Sequence, residues 1–234
     1  VITGTDRLNH YFWDSYQGAG QRRDQLLDFY REVDGVVGGV LDRLNDDDIL
    51  FVVSDHGFET QKMTVNVNHI LKEAGLLELE EGARVTPASM TAETRAFAMD
   101  PGRIYVHREG RYPKGKVPAD DTSVIDEVRA LFSGYRVEST PLVARIEDGR
   151  TLYSGPYAHR APDLILIPAP TVAFSGRLQG DLLEPSYIVG KHTLENAVFL
   201  CRSRQTPQLP DPMTVVDVLP AMRRAGAFGA LKAD

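Results

Sequence analysis

Apolar positions in this chain fall into runs of two kinds, and the alternation between them predicts the fold. Leu26, Phe29, Val33, Val36, Val37, Val40, Leu41 and Leu44 recur at three-and-four spacing, which predicts one long amphipathic helix over 21–44. The triple acid Asp46-Asp47-Asp48 ends it in a solvated turn, and its spacing does not fit a calcium loop. The unbroken apolar run 49–53 then reads as a buried strand. Helix followed by strand is the order of a crossover in a mostly parallel sheet. A short helix is predicted over 67–74, ending at Gly75, a glycine suited to a C-cap. Val124, Ile125, Val128, Leu131 and Phe132 mark an amphipathic helix over 122–132.

Short apolar runs at 102–106, 143–146, 164–167 and 197–201 predict strands, with Val137 in a further short one. The stretch 108–115 reads as an exposed hairpin loop, and the polar stretch 80–94 as irregular surface chain, a lid. A terminal helix is expected over 213–224, with Pro212 near its start and a kink or break at Pro220. The chain then divides into an α/β core part (1–100), a small α+β excursion (101–162) and a return to the core (163–234). Runs 164–167 and 197–201 would rejoin the main sheet. Within the excursion, Arg103, Arg111 and His159 are candidates to face a substrate, against the plainer reading of a solvated charged surface.

Composition narrows the function classes. The chain has 234 residues, 42% hydrophobic and 25% charged, as ordinary globular domains do. A net charge of −7 argues against a nucleic-acid-binding surface, which needs a basic face. Acidity does not exclude an anionic substrate where metal ions outweigh local carboxylates. The single cysteine, Cys201, excludes an internal disulfide and reads as a small residue of a buried strand; it fits a reducing, cytoplasmic location. No run is long enough to span a membrane and no signal peptide is present. Val1-Ile2 reads as the tail of a strand, so the chain is expected to be a piece of a longer protein.

The candidate chemistry lies at predicted strand ends. Ser54-Asp55-His56-Gly57-Phe58-Glu59 follows the 49–53 run, and a turn there, eased by Gly57, swings Asp55 and His56 toward one point. Carboxylate with imidazole is a ligand pair for zinc, manganese or iron. Asp6 and His10 are four residues apart, on one face if that stretch is helical, and are suited to grip one ion; the plainer reading is a helix N-cap and a surface histidine. His192 sits in a glycine-containing loop, 189–193, just before the 197–201 run. His69, His107 and His159 read as ordinary helix or loop histidines.

In order, Thr5-Asp6-Arg7-Leu8-x-His10, a long helix, a strand with Ser54-Asp55-His56-Gly57-Phe58, and Gly190-Lys191-His192 before a strand resemble the alkaline phosphatase superfamily. The likeness is to its type I phosphodiesterase/nucleotide pyrophosphatase branch and phosphohydrolase/phosphomutase-like relatives. Residues 100–106 and 161–164 share it. The resemblance implies an alkaline-phosphatase-like α/β core and two divalent metal ions, zinc by preference. One ion would be bound by Asp6, His10 and His192, the other by Asp55 and His56. It also implies a small phosphate-ester substrate. In the family a further aspartate and a Ser or Thr nucleophile complete the second site. No matching segment precedes Thr5, so the chain alone is expected to be inactive or much weakened. Phosphomutases, sulfate or phosphonate hydrolases and a non-catalytic metal-binding domain are the rival readings, because a shared metal core does not decide the chemistry.

Overall fold

A computed structural model of the chain describes residues 1–18, 21–204 and 208–227. It divides into two compact units. Unit 1 is Val1–Thr60 with Ile188–Asp234, and unit 2 is Gln61–Tyr187. The first stretch of unit 1 carries helices α1 (Gly4–Tyr16) and α2 (Arg23–Leu41) and strands β1 (Leu50–Val53) and β2 (Gly57–Thr60). Unit 2 carries β3 (Met63–Asn66), α3 (Val67–Glu73), β4 (Ala96–Asp100), β5 (Arg103–Val106), α4 (Ser123–Ser133), β6 (Arg136–Val137), β7 (Thr140–Pro141), β8 (Val143–Asp148), α5 (Gly149–Leu152), β9 (Leu164–Pro168), β10 (Val172–Ser175) and β11 (Leu183–Glu184). The chain then returns to unit 1 through β12 (Gly190–Thr193), β13 (Phe199–Arg202) and α6 (Val218–Arg224). The predicted return segment 163–234 includes 205–207 and 228–234, which lie outside the described residues.

The fold is mixed α/β, but the expected mostly parallel sheet is corrected: the sheets are small and largely antiparallel. Among the named strands only β3 and β10 pair in parallel. Strand β1 pairs antiparallel with β13, Phe51 opposite Cys201, and β2 pairs antiparallel with β12. The physical reason is the partner. The described partner of β1 is the antiparallel β13, so the α2-then-β1 order does not close a parallel pair with it.

Unit 2 is built around a continuous apolar core. Phe97, Ile104, Val128, Phe132 and Leu164 are at most 1% exposed and belong to one buried cluster. Strand β9 lies between β5 and β8, which corrects the expectation that this run rejoins the main sheet. A strand flanked on both sides reads as a solid apolar run whichever sheet holds it. Stretch 80–94 is only partly a surface segment. Ser89, Met90 and Thr94 are buried, and Thr94 Oγ1 donates to Glu78 O at 2.8 Å. Stretch 108–115 is no hairpin: Arg108 donates to the carbonyls of Pro118 and Asp121, both at 2.9 Å, and drags the loop inward.

Unit 1 buries little. Among the described residues Leu26, Phe58 and Ala221 are its buried hydrophobics, while Val36, Val40, Val53, Leu200, Val215 and Val216 are exposed. Cys201, expected to be buried, is half-buried on the β1–β13 ribbon, which has no third strand among the described residues. Helix α6 starts at Val218, so Pro220 falls in its first turn, where no amide donor is needed and no kink forms. No described helix is long and apolar enough to cross a membrane.

Candidate metal centre

The centre is assembled from three pieces of unit 1. Helix α1 carries Asp6 and His10 one turn apart; the turn between β1 and β2 carries Asp55 and His56; β12 carries His192. The β2–β12 register sets His192 opposite Phe58 and Thr193 opposite Gly57, which brings the His56 turn beside His192. The two imidazoles stack with ring centroids 3.5 Å apart. The aromatic floor is Phe58, edge-on to His10 at 5.1 Å and to His192 at 5.1 Å.

Two glycines allow these pieces to meet. A Cβ on Gly190 would lie 2.2 Å from Asn9 O, so only glycine lets β12 approach α1 this closely. That approach is held by Val189 N–H donating to His10 O at 2.8 Å. A Cβ on Gly57 would lie 1.5 Å from Asn196 Oδ1 and 2.5 Å from Glu195 O. Asn196, with φ of 57°, donates from Nδ2 to Phe58 O at 3.3 Å, and Thr193 Oγ1 lies 2.7 Å from its Oδ1. Ser54 adds a second tie, its Oγ accepting from Val198 N–H at 2.6 Å. Asn196 and Ser54 thus clasp the Asp55-His56 turn to the loop after His192. Sequence reasoning missed the clasp; its one signal was an asparagine, a residue tolerant of the left-handed region, three residues before the start of β13.

Asp6 Oδ1 is the focus. His192 Nε2 lies 2.9 Å from it, His10 Nε2 3.6 Å and His56 Nε2 3.8 Å. Asp6 Oδ1, His56 and His192 each offer a donor atom, all within 4.8 Å of one another. His10 Nδ1–H donates to Gly190 O at 2.9 Å and His56 Nδ1–H to Gly57 O at 3.2 Å. A carbonyl only accepts, so each Nδ1 carries a proton and Nε2 is the ring atom turned toward Asp6. His192 Nε2 and Asp6 Oδ1 are within hydrogen-bond distance, and Nε2 of a neutral imidazole facing a carboxylate oxygen is a donor set that a cation can bridge. Backbone carbonyls that fix the tautomer are the usual outer support of metal-binding histidines. Burial pushes the His192 imidazole below its ordinary pKa, against the raising pull of Asp6, which favours the neutral, ligating form. Ligands at about 2.0–2.1 Å around a tetrahedral zinc are about 3.3 Å apart, within the spread seen around Asp6. The donor set therefore fits a divalent metal.

Asp6, His10, His56 and His192 come together, with Asp55 beside His56, and both His10 and His56 approach Asp6 Oδ1, at 3.6 and 3.8 Å. The threefold grouping joins Asp6 and His192 to His56, across the division into one site of Asp6, His10 and His192 and another of Asp55 and His56. Asp55 is at the rim, its side chain 89% exposed and 3.5 Å from His56 Nε2. The remaining histidines lie in unit 2. His69 contacts Glu73 at 3.2 Å; His107 is buried with its ring nitrogens facing the carbonyls of Thr94 and Pro113. Lys191, beside His192 in sequence, is buried and pairs with Glu59 at 2.5 Å.

The family model described as type I phosphodiesterase / nucleotide pyrophosphatase matches residues 1–195. This chain belongs to that family. The match spans α1, both metal-type motifs and β12, so every residue around Asp6 lies within it. For a type I phosphodiesterase/nucleotide pyrophosphatase family member, phosphoester hydrolysis is the class of chemistry the site has to serve. No curated protein and no solved structure matches the chain.

Proposed function

We propose that the cluster around Asp6 binds a divalent cation and that the protein hydrolyses phosphate esters there, phosphodiesters first among them. The observation that carries this reading is the convergence of Asp6 Oδ1 with His56 and His192 within 4.8 Å. One carboxylate with two imidazoles suits zinc, with manganese or iron as the other fits. When bound, the metal supplies Lewis-acid stabilisation of charge on phosphoryl oxygens.

The chain's own residues do the remaining work. Asp6 concentrates negative charge at the centre. His10 and His56, anchored through Nδ1–H, hold their Nε2 lone pairs in fixed directions. His192 Nε2, 2.9 Å from Asp6 Oδ1, is the imidazole nitrogen nearest that carboxylate. His10 and Asp55 are the groups available for a second cation. The hydroxyl that would attack phosphorus, in the covalent route the family resemblance implies, is none of these five residues.

The test is metal content and zinc affinity of the protein, with turnover of bis(p-nitrophenyl) phosphate against p-nitrophenyl phosphate under zinc or manganese. Stoichiometric zinc is expected, with affinity falling more than about 10-fold in His192→Ala. A His192→Ala protein that holds zinc as tightly as the unchanged chain would sink the assignment. Stoichiometric metal with no turnover of either ester, in a protein that also carries the Ser or Thr nucleophile the resemblance implies, would leave a metal-binding domain without hydrolysis.

A further inference from the structure

Lys191 precedes His192 on β12 and is the one buried lysine or arginine among the described residues. A buried ammonium is costly unless it is paired. Its Nζ lies 2.5 Å from Glu59 Oε1, with the two side chains 11% and 29% exposed. In the β2–β12 register Lys191 stands directly opposite Glu59, and His192 opposite Phe58. Residues opposite one another on an antiparallel pair share a face, and the next pair takes the other face. The ribbon therefore carries the ion pair on one face and the metal-type ligand on the other. The His192 face is the one that meets α1, through Gly190 at Asn9 and Trp13.

Stability is a poor account of this pair. Replacing a buried ion pair with apolar residues of similar volume is commonly neutral or stabilising, and the best-attested use of such a pair is to fix register. This ribbon is short of other means to do so. It has two strands of four residues each, and Phe58 is their one large apolar side chain. A slip of one residue turns every side chain of a strand to the opposite face. It would carry His192 off Phe58 and out of its 3.5 Å stack on His56, and would part Lys191 from Glu59. The slipped ribbon would hold an ammonium on the α1 face and a carboxylate on the other, each without its partner.

We propose that Lys191 and Glu59 are positioning residues for the metal centre: their ion pair locks β12 to β2 in the register that sets His192 Nε2 2.9 Å from Asp6 Oδ1. Neither side chain ligates, because both lie on the far face of the ribbon. The inference rests on the metal reading for its zinc readout alone; the register is read on metal-free protein.

The experiment compares the unchanged protein with the double variant Lys191→Met/Glu59→Leu, which removes both charges and nearly keeps the volume. Its thermal unfolding midpoint is expected to be unchanged or higher, which verifies that the fold is intact. Zinc affinity, measured by competition with a chromophoric chelator, is expected to fall about 10-fold or more. In metal-free protein, the cross-strand backbone NOEs that join residues 59 and 191 are expected to weaken. The charge-swapped variant Glu59→Lys/Lys191→Glu is expected to recover both the NOEs and the affinity, which a purely apolar packing role would not allow. The proposal is overturned if the apolar variant keeps those NOEs at full strength. It is equally overturned if that variant binds zinc as tightly as the unchanged protein. An unchanged protein that binds no zinc would remove the metal reading instead, and the NOE comparison would still decide the register lock.

Discussion

Unit 1 carries the metal-type cluster and almost no core; unit 2 carries the core and none of the cluster. In unit 2, buried Phe97, Phe132 and Leu164 are tied into one apolar body. In unit 1, Phe58 is buried under the histidines, and the β1–β13 ribbon leaves Val53, Val198 and Leu200 exposed. The cluster is held instead by directional contacts: His10 to Gly190, Val189 to His10, Ser54 to Val198 and Asn196 to Phe58. Apolar burial sets stability in proportion to area, whereas a few hydrogen bonds and close backbone approaches set where ligand atoms point. The two units thus separate the tasks of being stable and of aiming donors.

The sharpest break of that comparison is a cavity in unit 2. Phe97→Ala removes a side chain with no exposed surface, and a loss of about 3–5 kcal/mol is expected in denaturant unfolding followed by a unit 2 probe. Zinc affinity, measured well below the unfolding transition, should change less than about twofold, because site geometry does not draw on that core. A parallel collapse of zinc affinity would show that the division of tasks is wrong. Leu200→Ala, on the exposed ribbon, should cost within about 0.5 kcal/mol.

The converse break is in the clasp. Gly57→Ala places a methyl 2.5 Å from Glu195 O, a backbone atom that cannot swing aside. Zinc affinity is expected to fall about 10-fold or more, with unit 2 unfolding unchanged. Asn196→Gly and Asn196→Ala divide the clasp into its parts. Both lose the bond to Phe58 O, but only alanine adds strain at φ of 57°, about 1 kcal/mol. Alanine should therefore be the weaker zinc binder of the two. Equal affinities would place the whole effect in the side chain.

What the sequence made legible follows the same line. The helix over 21–44 and the strand over 49–53 were readable because their spacing is local, and α2 and β1 lie within those spans. Asp6, His10, Asp55, His56 and His192 stood out as candidates by residue type and spacing, but their settings did not: Asp6 and His10 lie within α1 and His192 within β12. Strand partners were not readable. The run at 164–167 looks the same whether it joins a parallel core or the β5–β9–β8 sheet, because an apolar run does not record which strands lie beside it. Nor was the grouping of Asp6 with His56 readable. It depends on how the β2–β12 register stacks His56 on His192, a distance of more than a hundred residues along the chain.

Another small expected effect separates electrostatics from packing inside unit 2. Asp148 accepts from Arg150 side-chain nitrogens at 2.8 and 3.1 Å and from its backbone N–H at 2.9 Å, with Arg129 at 3.9 Å. The Arg150 side-chain bond, foremost among these, holds the Asp148 carboxyl below its ordinary pKa. A group whose pKa is lowered by folding stabilises the fold above its unfolded value, near 3.9, and loses that contribution as pH falls through the lower folded value. The Arg150 side chain is more than half exposed, so the pair is worth no more than about 0.5–1 kcal/mol. Asp148→Asn should accordingly lower the denaturation midpoint slightly at pH 7, and the difference from the unchanged protein should shrink as pH drops below about 4. High salt should shrink it too, by screening. A difference that persisted undiminished at pH 2 would mean that Asp148 acts through its cap on α5 and its packing, not through its charge.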